Sequence, residues 1–150
     1  MAGKKKKSTT RSATNLESLE LYTFFLDRAL QSYALRDALK ALGANVEMHR
    51  DHFSEDAADV DWLPEVSARG WVILSKDQFN WLEREAIRNA NGRAFLLAQG
   101  SLPGDQQVAI ICGALPWIVR ILKATPAPFI ARIHQTSKIV IIRKEFRTIG

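Results

Sequence analysis

An α/β fold is predicted by three observations: a mainly parallel sheet covered by helices on both faces, with a C-terminal β-hairpin. Short apolar runs bounded by polar residues alternate four times with longer segments of three- and four-residue hydrophobic period. Glycines stand where helical segments must stop, at Gly43 and Gly70. The end of the chain carries two β-rich runs, PFIARIH and KIVIIR, around the polar turn Gln135-Thr136-Ser137.

Residues 1–20 are polar, basic and without periodicity, and are expected to form a disordered tail. The domain is expected over 21–142, with a second basic tail over 143–150. LYTFFL (21–26) is continuous and apolar, as a strand buried on both faces requires. Leu30, Tyr33, Ala34, Ala38, Leu39, Ala41 and Leu42 then repeat at helical spacing up to Gly43. ANVEMH (44–49) is a second strand, and RDHFSEDAA (50–58) a polar loop. Asp59 opens a helix with Trp62, Leu63 and Val66 inward, and Pro64 falls within its first two turns. WVILS (71–75) is a third strand, followed by a weakly amphipathic helix over 78–90. The Asn91-Gly92 turn enters a fourth strand, RAFLLA (93–98), and an apolar helix containing Pro116 spans about 105–123.

The 150 residues suit one domain, and 47% hydrophobic residues exclude a wholly disordered chain. No run approaches about 20 uninterrupted apolar residues, the length that crosses a bilayer. No apolar segment follows the basic N-terminus as in a secretory signal, and a cytoplasmic protein without membrane attachment is expected. The single cysteine, Cys112, excludes an internal disulfide and a thiolate metal cluster. The four tryptophans Trp62, Trp71, Trp81 and Trp117 read as core or near-core residues, and His49 and His52 make a poor metal pair.

The net charge of +5 is unevenly placed. Residues 1–20 carry +3, the last eight carry +2, and 21–142 is neutral. Within that neutral middle, residues 47–65 hold seven acids and the single base Arg50. The acids also recur at strand ends. Asp27 ends the first strand, Asp51 lies two residues beyond the second and Asp77 two beyond the third, with Asp59 and Asp61 opening the intervening helix. In a parallel sheet those ends share one rim, where ligands bind close to the reversal of strand order. Carboxylates crowded on a rim repel unless a cation lies among them, and hard oxygen donors suit Mg²⁺ or Mn²⁺. Such ions support in-line attack of water on a phosphodiester. Each acid also has a plainer role open to it: Asp59 as a helix N-cap, Asp77 as the cap of a helix starting near Gln78, Asp27 as a turn former.

The ordered set FFLDRAL, RDHF, DVDWL, GWVILSKDQF, GRAFLLAQG and TPAPFIARI resembles the PIN-like domains related to VapC-type toxin ribonucleases, over about residues 22–142. The resemblance implies a three-layer α/β/α fold and a Mg²⁺- or Mn²⁺-dependent site that cuts RNA. It implies catalytic roles for Asp27, Asp59 and Asp77, with Asp51 and Asp61 as further metal ligands. Arg28 and Arg132 are its candidate phosphate contacts, and Lys76 and the Lys4, Lys5, Lys6, Lys7 run further RNA contacts. An antitoxin protein and a homodimer are the partners it brings into view. The chain departs from the family pattern twice. No residue is matched to the family's usual helical Glu, and about 16 residues between Asp27 and Ala44 leave no room for a helical hairpin. A non-catalytic protein- or RNA-interaction module on a reduced PIN-like fold is the alternative reading.

Overall fold

The computed structural model describes residues 18–30 and 32–142. Six strands form one sheet: β1 (Thr23–Leu26), β2 (Asn45–Met48), β3 (Val72–Ser75), β4 (Arg93–Leu97), β5 (Phe129–Ile133) and β6 (Ile139–Ile142). Their order is β2-β1-β3-β4-β5-β6, parallel throughout except for the antiparallel β5–β6 hairpin. The four α-helices are α1 (Tyr33–Ala41), α2 (Asp59–Ala68), α3 (Trp81–Asn89) and α4 (Gly104–Ala124). The sheet is thus mostly parallel and sandwiched, as the alternating pattern requires.

Strand alternation assigns the two layers. Phe24, Leu26, Val72, Leu74, Phe95 and Leu97 pack with Leu35 and Leu39 of α1 and Ile111, Leu115, Ile118 and Leu122 of α4. Phe25, Ile73, Ala94, Leu96 and Ile130 pack with Trp62, Leu63 and Val66 of α2 and Ile87 of α3. By composition α4 is long and apolar enough to cross a membrane, yet it lays Ile111, Ala114, Leu115 and Ile118 fully buried against the sheet. Pro116 lies within that helix, which runs without interruption.

Local chemistry sets the boundaries. Ser32 caps α1, its hydroxyl accepting from the Leu35 amide at 3.0 Å, and Gly43 follows the helix at φ +105°. At Gly92 a Cβ would stand 2.3 Å from Ser67 Oγ, so the α2–β4 approach admits only glycine. Four expectations shift. The domain begins no later than Ser18, because a 3₁₀ turn over Ser18–Leu21 buries Leu19 completely. The third helix starts at Trp81, not near residue 78, since Asn80 and Glu83 form a capping box. The N-cap of α2 is Ala58, with Asp59 already inside the helix. Trp81 and Trp117 are about half exposed instead of near-core.

Candidate active site

The strand order reverses between β1 and β3, because β2 lies on the far side of β1. At the carboxyl end of this pair, alternation turns Asp27 and Ser75 to the α2–α3 face. Asp27 is 3% exposed. Its Oδ2 accepts from the Ser75 hydroxyl at 2.6 Å, its Oδ1 from the Ala29 amide at 2.9 Å, and its own amide donates to Leu74 at 3.2 Å. Burial outweighs those hydrogen bonds and raises its pKa from 3.8 to about 6, with Asp77 and Asp59 adding repulsion.

Ser75 links the two strand ends. Its oxygen also accepts from the Asp77 amide at 2.8 Å, so the turn after β3 is built around the hydroxyl that orients Asp27. Asp77 in turn accepts from the Phe79 amide at 2.9 Å, and Phe79 sits at φ +56°. A bulky residue in that conformation costs about 1–3 kcal/mol and persists only where neighbours over-determine it. Here Phe79 is buried against Trp62, and the Gln78 carbonyl on its N-terminal side accepts from Arg84 at 2.9 and 3.0 Å.

Asp59 is free of capping duty and faces inward from the first turn of α2. One oxygen accepts from Arg28 Nη2 at 2.6 Å and from the Trp62 indole at 2.9 Å. Arg28 Nη1 donates to the carbonyls of Glu55 and Ala57 at 2.6 and 2.8 Å, which ties the 52–58 loop to the end of β1. A fourth acid, Glu83, arrives from α3. The Glu83 carboxyl accepts from the Asn80 amide at 2.8 Å. Its pKa is raised, chiefly by burial, then by repulsion from Asp59 and Asp77 and by a hydrogen bond shared with Asp59. Asp59 and Asp77 thus repel both Asp27 and Glu83, which gathers the four acids around the switch point.

The remaining candidates lie elsewhere. Asp51 is exposed on the 3₁₀ turn His49–Asp51 after edge strand β2, where it bears electrostatically on Arg36. Asp61 is exposed, two residues and about 200° around α2 from Asp59. Arg132 donates to the Gln78 side chain at 3.0 Å, and that amide donates to Leu97 O, so Arg132 braces the Asp77 loop. Lys76 is half-buried, its stem against Gly100. Lys4, Lys5, Lys6 and Lys7 lie outside the described residues. The acidic 47–65 window is several separate contacts, with Glu47 on His52 at 2.7 Å and Glu65 on Arg69 at 2.6 Å.

Among the described residues, no three His, Cys, Asp or Glu side chains are arranged to hold one metal ion. Asp59 is occupied by Arg28, and one Asp27 oxygen by Ser75. The donors nonetheless fit a hard cation in kind: they are all carboxylates, and burial raises the pKa of the most buried, Asp27, which a bound cation would lower.

Comparison with known proteins agrees with this architecture. The model of the PIN-like domain family matches residues 22–99, which are more than half of the chain and contain all four acids. A relative from Mycobacterium tuberculosis (strain ATCC 25618 / H37Rv), named "Putative ribonuclease VapC45", is 28% identical over 128 residues, covering 81% of this chain and 91% of its own length. No solved structure matches significantly. From its parallel sheet, its acids at the switch point and its family match, the chain belongs to the PIN-like domain family and is related to the VapC proteins.

Proposed function

We propose that this protein is a metal-dependent endoribonuclease, acting as the cytoplasmic toxin of a toxin–antitoxin pair. The observation that carries this reading is the convergence of Asp27, Asp59, Asp77 and Glu83 beside β1 and β3, with the Asp27 pKa at about 6. Asp27, Asp77 and the Asp59–Glu83 pair would hold Mg²⁺ or Mn²⁺, with Asp27 and Asp77 the principal ligands. A divalent cation so held supplies neutralisation of phosphate charge and a nucleophilic water at neutral pH.

The chain's own residues do the positioning. Ser75 fixes the Asp27 carboxylate and the Asp77 turn with one hydroxyl. The strained Phe79 and the Arg84–Gln78 bonds hold Asp77 in place. Arg28 holds Asp59 and the neighbouring loop, and its guanidinium keeps this acidic crowd stable until a substrate phosphate or a metal competes for the same charges. Arg132 acts through Gln78 as a positioning residue, not as a phosphate contact. The antitoxin is the protein partner this reading calls for, since an RNA-cutting toxin must be held silent.

The direct test is cleavage of single-stranded RNA by the purified full chain with Mn²⁺ or Mg²⁺. Cleavage is expected with either ion, and not in excess EDTA or in an Asp27→Asn/Asp77→Asn double variant that keeps its circular dichroism spectrum. Equal cleavage by that folded double variant would assign the activity to a contaminant and overturn the reading.

A further inference from the structure

The far edge of the sheet, several strands from the acids, carries a second surface. Among the described residues β6 pairs with β5 alone and so forms an edge. Natural edge strands are blunted by charges, prolines or bulges, because an unpaired ladder recruits another strand. β6 reads Ile139-Val140-Ile141-Ile142 without a charge. Val140 and Ile141 are both exposed, although alternation turns them to opposite faces.

A cavity of about 400 Å³ opens between this strand and α4, with Trp117, Ile121 and Ile139 as its apolar walls and Arg120 and Lys138 beside them. The walls are held in place before any ligand arrives. The Ser137 hydroxyl donates to the Ile110 carbonyl at 3.0 Å, which pins the hairpin turn to α4. The His134 amide donates to the Lys138 carbonyl at 2.8 Å and closes that turn. The Arg120 guanidinium lies over the half-exposed Trp117 ring at 4.6 Å, so each side chain orients the other.

Charge selects the occupant. Residues 106–142 hold Arg120, Lys123, Arg132 and Lys138 and no aspartate or glutamate. Among the described residues, neither Arg120 nor Lys138 is engaged in an ion pair. The two ends of the chain, at +3 and +2, are repelled by such a surface, and two copies meeting through β6 would set two acid-free surfaces together. An RNA strand matches the charge but gains nothing from Ile121, Ile139 and Ile141, and Arg120 already covers one face of Trp117. An acidic polypeptide with an apolar centre satisfies the cations, the walls and the strand edge together.

We propose that the α4–β6 groove binds an extended acidic segment of a partner protein, which adds to the sheet beside β6. The segment's main chain pairs with the outer edge of β6, and its apolar side chains cover Val140 and Ile141. One larger side chain enters the cavity against Trp117, Ile121 and Ile139, and the flanking carboxylates meet Arg120 and Lys138. The inference stands apart from the ribonuclease reading, since none of the candidate acids lines this groove.

The experiment titrates a synthetic peptide, a Val-Phe-Val-Val centre flanked by glutamate pairs, into the purified full chain. NMR follows the Trp117 indole and the backbone amides of β6. Saturable shifts of both are expected, with an affinity at least about tenfold above that of the same peptide carrying lysines for glutamates. Methylating alternate backbone nitrogens of the peptide should abolish binding, because strand addition needs those donors. An Arg120→Glu/Lys138→Glu double variant should prefer the lysine peptide. Equal binding of the two peptides, unmoved Trp117 and β6 signals, or full binding of the methylated peptide would overturn the proposal. So would self-association that shifts the β6 amides, which would assign the groove to a second copy. Displacement of the acidic peptide by single-stranded RNA would assign it to nucleic acid instead.

Discussion

Under α1 and α4 the sheet is sealed by aliphatic side chains, Ile111, Leu115, Ile118 and Leu122 among them. Under α2 and α3 it is covered by Phe25, Trp62 and Phe79, with the buried His49 imidazole among the rings. The first layer contributes burial alone, roughly 25 cal/mol for each Å² of apolar surface withdrawn from water. The second combines burial with a polar anchor, because the Trp62 indole donates to Asp59 from within an apolar wall. Every acid of the candidate site is held by that second layer or by the strand ends beneath it. The candidate acids thus gather on one face of the sheet, and the other face carries none of them.

Asp27→Asn should break the division most visibly. RNA cleavage is expected to fall at least about a thousandfold, or ~4 kcal/mol of activation free energy, with the fold retained. Ile118→Ala, in the other layer, should do the reverse: urea denaturation is expected to show a loss of about 2–5 kcal/mol, with an unchanged rate per folded molecule. A cleavage defect in Ile118→Ala at temperatures where it remains folded would show that the layers are not separable.

A pH dependence sharpens the comparison. The folded pKa of Asp27, about 6, exceeds its ordinary 3.8, so between those values the folded chain keeps a proton the unfolded chain has released. Stability should fall as pH rises through that window, by about 3 kcal/mol in all, and Asp27→Asn should flatten this part of the profile. A wild-type profile flat from pH 4 to 6.5 would contradict the burial argument. Next in size, Arg28→Ala should cost about 2 kcal/mol and speed proteolysis of the 52–58 loop, since Asp59 and two carbonyls lose their shared donor. Asn80→Ala should cost the least, about 1 kcal/mol by thermal denaturation, through the capping box it shares with Glu83.

Much of this was legible in the residues. FFLD and VILSKD announce buried parallel strands ending in acids, and period-two alternation turns Asp27 and Ser75 to the same face. Glu83 was not legible as a site residue, because Asn-x-x-Glu is a capping signature and the side chain does cap α3. Its second role exists only because α2 packs beside α3. Asp51 joined the expected set on the premise that every strand end faces one crevice, but edge strand β2 carries it out toward Arg36. Asp61 shares a motif with Asp59, yet two helical steps turn it to solvent. Nor could the sequence announce that Arg28, expected at a phosphate, would spend its guanidinium on Asp59.

Asp27 is a buried carboxyl among acidic neighbours, and the proposed function requires it to bind a divalent cation. A ¹³C NMR titration of its carboxyl carbon, with and without saturating Mg²⁺, tests this directly. A midpoint near pH 6 is expected without the ion, with a clear drop when Mg²⁺ is added. An ordinary midpoint near 3.8, or one that Mg²⁺ leaves unmoved, would contradict it.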